Sequence, residues 1–458
     1  MLSETTLDTS SASVNAVHSA SRAEARRRVL ILTPHFPPVD APDMQRVRVS
    51  LPYFRDYGWD PYVLAVAPGA GDTLEPLFSD TIDVNVPIER VRAISASLTG
   101  AVGIGNVAIR ALPFLYSAGA RIIREHQVDL VYCSTTMFLS MPLARLWQAR
   151  FGTPYVLDFQ DPWVTDYYDK HPDSAPPPKY GLARQLHAVL EPWTLARAGG
   201  LVAVSEAYID TLRSRYPSID AGACATIPFA ASRRDFELLA ARPQANEVFR
   251  PDSSTTVGVY VGRGGDDMRP AAKILFAALA RGLTQVPRIF DRVRLHFVGT
   301  DYASDERARK TIEPVAAATG LATQVREQTT RVPYFQALQL LQDADFLVLI
   351  GSDDEAYTAS KVYPYLMAGK PIVAVVHEGS GLVPLLRRVR SALVITFGSG
   401  DEQQAVATLV EGWQRMLESG CRAVPLDPDV ERSCSAREMT RRQCELFDTV
   451  IAKAGAPA

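Results

Sequence analysis

Three groups of side chains in this sequence are of the kinds that grip phosphate or hydroxyl groups. Ser360 and Lys361 open the segment 360–374, where an apolar-faced helix runs through Gly369-Lys370-Pro371 into a buried strand. A helix start at the carboxyl ends of a parallel sheet is where anions bind in open α/β folds, because free N–H groups and the helix dipole point outward there. Lys361 would add an ammonium. The same pattern also describes an amphipathic helix whose Tyr363, Leu366 and Met367 only pack on a sheet. Gly262-Arg263-Gly264-Gly265 supplies a flexible turn and a guanidinium apt for a diphosphate, and Arg269 and Lys273 extend the positive charge. A surface turn is the plain alternative. Asp158-Phe159-Gln160-Asp161-Pro162-Trp163 places two carboxylates and an indole at one strand end. That composition suits hydrogen bonding to sugar hydroxyls under an aromatic face, and either Asp is equally suited to capping the next helix. Asp353-Asp354-Glu355 and His377-Glu378-Gly379 belong to loops expected to face the same crevice as Lys361. His377 alone says little. No nucleophile motif, metal-ligand spacing or P-loop is present.

The elements that must hold these residues alternate strand and helix. Apolar runs at 28–33, 62–66, 130–134, 155–159 and 200–204 are separated by helical spacing at 44–54, 137–151 and 208–216. A second alternation has strands at 256–262, 294–299, 344–350, 371–376 and 392–397, with a helix at 271–283 between the first two. Helices over 404–417 and 436–453 close the chain. Such alternation means parallel, doubly wound sheets. The segment between them, polar and without a sustained period, reads as a linker. The expected division is a tail over 1–25, one domain over 26–230, a linker over 231–255, a second domain over 256–430 and a final helix over 431–458.

The chain's 458 residues exceed what one core usually organises, so two domains with a cleft between them are expected. Hydrophobic residues at 47% and charged residues at 22% are those of an ordinary soluble protein, and a net charge of −3 gives no global attraction to nucleic acid. Five cysteines without short paired spacing argue against a zinc site and a disulfide framework, and so for a cytoplasmic setting. Residues 1–25, rich in Ser, Thr and Ala, lack the apolar core of a signal peptide and read as disordered. No apolar run reaches the length of about 20 residues that crosses a bilayer, which leaves only peripheral contact, at the inner membrane face, open. The loop after the first strand, 33–43, contains no glycine, which excludes a dinucleotide fingerprint.

In order and spacing, the chain resembles the family 4 glycosyltransferases of the GT-B fold over nearly its whole length. The resemblance rests on His35-Phe36-Pro37-Pro38 with Arg46 and Arg48 downstream, Asp158 to Trp163, Val204-Ser205-Glu206, Val261-Gly262-Arg263, Ala344-Asp345 before a strand, and the segment 360–371. It implies two tandem Rossmann-like domains with an interdomain cleft and a C-terminal helix that returns to the first domain. It also implies a retaining, metal-independent transferase that moves a sugar from a nucleoside diphosphate donor to a hydroxyl of a glycan, lipid-linked or small-molecule acceptor, with no cofactor beyond that donor. Polysaccharide or cell-surface glycan synthesis is the setting the resemblance suggests.

On that resemblance Arg263 matches the family's diphosphate-binding Arg, and Arg269 falls where its Lys is expected. The donor side then comprises Gly262, Arg263, Arg269, Glu355, Ser360, Lys361, Glu378 and Gly379. The acceptor side comprises His35, Arg46 and Trp163, with Asp161 or Asp158 orienting the acceptor or taking its proton. Two positions depart from the family: its ribose-binding carboxylate falls on Pro364, and the partner carboxylate on Ala356, beside Glu355. These departures keep two alternatives open, a catalytically silent GT-B protein that binds a glycan or a partner, and a sugar-nucleotide epimerase.

Overall fold

The computed structural model describes residues 26–100, 105–164, 180–250, 252, 254–301, 303, 307–355, 360–422 and 424–455. The first sheet is built from β1 (Arg27–Leu32), β2 (Trp59–Val66), β3 (Ile88–Val91), β4 (Leu130–Ser134), β5 (Tyr155–Phe159), β6 (Gly200–Ala203) and β7 (Cys224–Thr226). The second is built from β8 (Thr256–Val261), β9 (Val293–Val298), β10 (Val325–Gln328), β11 (Phe346–Ile350), β12 (Ile372–His377) and β13 (Ala392–Phe397). Their orders are β3-β2-β1-β4-β5-β6-β7 and β10-β9-β8-β11-β12-β13, and every pairing is parallel. Central strands such as β5 and β11 are buried along their whole length. Helices cover both faces of a parallel sheet, so its strands read as continuous apolar runs.

In each sheet the strand order reverses once, between β1 and β4 and between β8 and β11. Those reversals open a crevice at the strand carboxyl ends, which is where ligands of doubly wound sheets sit. The loops that begin at Thr33, Thr135, Gly262 and Gly351 therefore line the two crevices. The loop after β1 meets the segment after β10 across the molecule: the N–H of Tyr334, first residue of the helix Tyr334–Asp343, donates to Asp40 Oδ2 at 3.2 Å.

The last helix, Ala436–Gly455, returns to the first sheet. Phe447 enters an aromatic cluster with Trp59 (5.4 Å, edge-on), Tyr132 (5.0 Å) and Phe54 (6.2 Å, stacked). Its approach is so close that a Cβ on Gly199 or Gly200 would stand 2.6 or 2.8 Å from Val450 methyls, so only glycine fits there.

Several expectations are revised. The segment 231–255 is not irregular: it contains the helix Arg233–Ala241, whose Asp235 and Leu239 are buried. Its period is obscured because one inward position is a carboxylate, placed to pair with a buried arginine. The helix expected over 44–54 is a short α-helix, Gln45–Ser50, between the 3-10 turns Pro42–Met44 and Leu51–Tyr57, because Pro42 and Pro52 each begin a new turn. Three strands unmarked in the sequence, β3, β7 and β10, are sheet edges of three or four residues with few apolar members. The helices Val107–His126 and Tyr180–Leu195 were likewise not anticipated. The tail 1–25 and Ala356 lie outside the described residues.

Candidate functional site

At the second crevice, β8 ends in Val261 and the chain turns through Gly262 at φ +150°. The absent side chain is filled by Lys361: a Cβ on Gly262 would stand 2.7 Å from Lys361 Cε and nearer still to Nζ. Lys361 Nζ hydrogen-bonds the hydroxyl of Tyr260 and lies 4.1 Å from the centroid of its ring. The Tyr260 hydroxyl in turn donates to Arg263 O at 2.6 Å, which ties the lysine to the backbone of the arginine. Arg263 grips Asp267 with both terminal nitrogens, at 3.0 and 2.7 Å, and its side chain keeps 28% exposure. Burial, then the Arg263 and Arg331 charges, hold the Lys361 ammonium well below its ordinary range, against a smaller upward pull from Asp267.

The charge of Arg263 acts on Lys361, and so does that of Arg331 after β10, a third cation at this strand end. Arg331 also acts across the molecule, lowering the Asp40 carboxyl that burial pushes up. Nothing in the sequence around Arg331 marked it, since a short polar edge strand precedes it. Arg269 lies apart: it is half-exposed, paired with Asp266, and is not among the charges felt by Lys361. The helix after Lys361, Val362–Ala368, has only seven residues. The Lys361 side chain rather than a helix dipole therefore carries the positive charge at this strand end. Pro364 sits within that helix and offers no carboxylate. Ser360 is exposed, and its carbonyl accepts from Tyr363 N–H at 3.3 Å.

The acidic and glycine residues of the neighbouring loops divide. Glu355 packs against Gly379, where a Cβ would lie 3.1 Å from its Cδ. Gly379 N–H donates to His377 Nδ1 at 3.1 Å. Glu378 turns to the end of β13 and accepts Ser399 N–H at 2.9 Å; the Ser399 hydroxyl, then that bond, hold its carboxyl below the ordinary range.

At the first crevice, Asp161 is exposed, whereas Asp158 is sealed at 0%. Asp158 Oδ2 accepts from Ser134 Oγ at 2.7 Å and Tyr132 OH at 3.1 Å, and lies 2.8 Å from Arg46 Nε in an ionic contact whose N–H does not aim at the oxygen. Arg46, itself fully buried, donates to the carbonyl of Ile227 at 2.8 Å and packs 4.8 Å over Phe229. Trp163 keeps 4% exposure and stacks on Phe138 at 5.5 Å. Thus Asp158, Arg46 and Trp163, expected to touch ligand, lie in the packed interior. An apolar neighbourhood encloses the indole, and paired opposite charges allow the other two to be buried.

His35 and Asp161 remain at the crevice. His35 Nδ1 lies 2.9 Å from Asp43 Oδ1. Burial draws the imidazole down, but the Asp43 hydrogen bond and charge, with the charge of Asp72, leave it raised above its ordinary value. Asp161 is pushed up to about 6, first by the protein around it and then by the Asp43 charge.

Residues 12–230 match the family described as glycosyl transferase 4-like domain. A comparison with curated proteins finds no match. Among solved structures, Anabaena HepE in complex with UDP superposes with a TM-score of 0.57 at 14% identity, over 92% of this chain and 99% of its own. The sucrose-phosphate synthase of Thermosynechococcus elongatus gives 0.56 at 16% identity, over 93% and 100%. The α,α-trehalose 6-phosphate synthase of Burkholderia multivorans gives 0.56 at 13%, over 94% and 100%. These likenesses establish the two-domain architecture, and with the domain match and two facing crevices they lead to one assignment. The chain carries a glycosyl transferase 4-like domain over residues 12–230 and is similar in its whole two-domain fold to GT-B glycosyltransferases.

Proposed function

We propose that this protein transfers a sugar from a nucleoside diphosphate donor, of the UDP-sugar class, to a hydroxyl acceptor held at the first crevice. The observation that carries this reading is that Lys361 fills the space beside Gly262 while standing within the field of the Arg263 charge. Two repelling cations kept together at a strand end are a site prepared for a polyanion. As the glycosidic bond breaks, negative charge grows on the leaving diphosphate, and fixed cations stabilise it without reorganising. We assign that task to Arg263 and Lys361, so that no metal ion is required. Support for the donor class comes from the structural neighbour HepE, which is described in complex with UDP and with UDP-glucose.

On the acceptor side we assign Asp161 the role of orienting the acceptor hydroxyl and taking its proton. A carboxyl pushed up to about 6 is still ionised at pH 7 and a better proton acceptor than an ordinary aspartate. Retention of anomeric configuration and a place in polysaccharide or cell-surface glycan synthesis rest on the family resemblance. Among the described residues no helix is long and apolar enough to cross a membrane; a cytoplasmic setting with at most peripheral contact rests on the sequence reading.

Calorimetric titration with UDP and UDP-glucose tests the donor site. Wild-type protein should bind both, and Arg263→Ala should weaken binding at least tenfold while melting near the wild-type temperature. Equal affinity in the folded variant counts against the role of Arg263. The silent-scaffold reading is favoured by Pro364, which removes a ribose contact, and it expects no binding of either ligand. Conversion of UDP-glucose to an epimer without acceptor would favour the epimerase.

A further inference from the structure

Besides Asp158, the acceptor side contains a second buried carboxylate that the mechanism above does not use. Asp43 is 3% exposed and lies where three strand-end loops meet. Its Oδ1 faces His35 Nδ1 at 2.9 Å in the loop after β1. Its Oδ2 accepts from Thr135 Oγ1 at 2.7 Å and more weakly from Thr136 N–H at 3.4 Å, both after β4. Its backbone carbonyl accepts from Gln160 Nε2 at 2.9 Å, after β5. Thr135 is itself fixed, because its Oγ1 accepts Met137 N–H at 2.9 Å. Every polar atom around the carboxylate is therefore held by a strand end, and the carboxylate has no freedom to turn away from the imidazole.

We propose that Asp43 is a positioning residue of the acceptor side: it holds His35 with its Nδ1–H turned inward, so that Nε2 is the ring nitrogen presented to a substrate hydroxyl. This rests on the reading of the first crevice as the acceptor site. A carboxylate locked by donors on its second oxygen can only accept from the imidazole, and that fixes the tautomer. The groups that act on His35 are Asp43 and Asp72, both acidic, and they favour the protonated ring against the burial that opposes it. The same Asp43 charge lifts the neighbouring Asp161. One buried group thus raises the proton affinity of both side chains that remain at the crevice, beside the larger effect of burial.

Asparagine at position 43 keeps the shape and removes the charge. In the full chain, NMR of the imidazole nitrogens, with His35 assigned by its loss in His35→Gln, should place the wild-type ring in the Nδ1–H tautomer at pH 8. In Asp43→Asn the His35 pKa should fall by about one unit, a tenfold change in proton affinity. Hydrolysis of UDP-glucose by Asp43→Asn should show kcat reduced about tenfold with KM unchanged, and the acidic limb of its pH profile moved to lower pH as Asp161 loses its anionic neighbour. A wild-type ring in the Nε2–H tautomer overturns the proposal without any variant, as does an unchanged His35 pKa in a folded Asp43→Asn protein. UDP affinity measured by calorimetry should be equal in both proteins. Absence of UDP binding by the wild type would overturn the donor assignment, while the tautomer and pKa of His35 would still decide the role of Asp43.

Discussion

Lys361 occupies the space that a side chain on Gly262 would fill, so the ammonium and the turn carrying Arg263 are built around each other. Two consequences follow, one for binding and one for stability. Gly262→Ala must expel Lys361 and force a residue with a Cβ to φ +150°, a strain on the order of 1–3 kcal/mol. UDP affinity is expected to fall at least tenfold in this variant, with a lower melting temperature, as read by calorimetry and thermal unfolding. Wild-type affinity would mean that Lys361 does not meet the ligand from this position.

Asp267 competes with a ligand for Arg263, since its two oxygens take both terminal nitrogens of the guanidinium. Asp267→Asn weakens that grip while keeping a hydrogen bond, and UDP should bind several-fold more tightly, roughly 1 kcal/mol. A titration showing weaker binding would make Asp267 a support that holds Arg263 in place and not a competitor.

Lys361 couples binding and stability to pH. Its folded pKa lies well below the ordinary value of 10.5, so between the two the unfolded chain holds a proton that the folded one lacks. Stability therefore rises with pH through that window, and its unfavourable contribution is fully present below the folded pKa. Lys361→Met should melt at or above the wild-type temperature at pH 7, flatten this dependence and lose UDP binding. A bound diphosphate favours the charged amine, so wild-type binding within that pH window should take up a proton. Calorimetry in buffers of different ionisation heat detects that uptake; equal enthalpies in all buffers would contradict it.

Arg48 and Asp235 pair through bonds of 2.8 and 2.6 Å with both side chains buried, and Tyr334 OH donates to the same carboxylate at 2.8 Å. The pair joins the first domain, the helix Arg233–Ala241 and the helix Tyr334–Asp343. Removing one partner strands the other's charge, so Asp235→Ala should cost about 3–5 kcal/mol, measured by denaturant unfolding. Replacing both, as Arg48→Met with Asp235→Leu, should recover much of that loss. Failure of the double variant to exceed the single one would show that the pair is not the source of the cost.

Local pattern was enough to reveal both parallel sheets, because β5, β11 and their neighbours are buried on both faces and write their position as unbroken apolar runs. It was enough, too, for the turn at Gly262 and for Arg263 and Lys361, since chemistry at a strand end is carried by the residues that follow the strand. Burial of charge was not legible. Asp158, in β5, and Asp161, just beyond its end, stand three residues apart, yet one is sealed against Arg46 and the other is open, because the chain turns between them. Arg269, in sequence the obvious second cation, points to Asp266, while Arg331, some seventy residues after Arg263, acts on Lys361. Asp43 gained its meaning only when the ends of β1, β4 and β5 came together around it. Sequence thus determined which strand ends carry reactive groups, through periodicity and composition that each segment expresses alone. Tertiary structure decided which of those groups face one another and which face the interior, because a charge's partner and its access to water are set by segments distant along the chain.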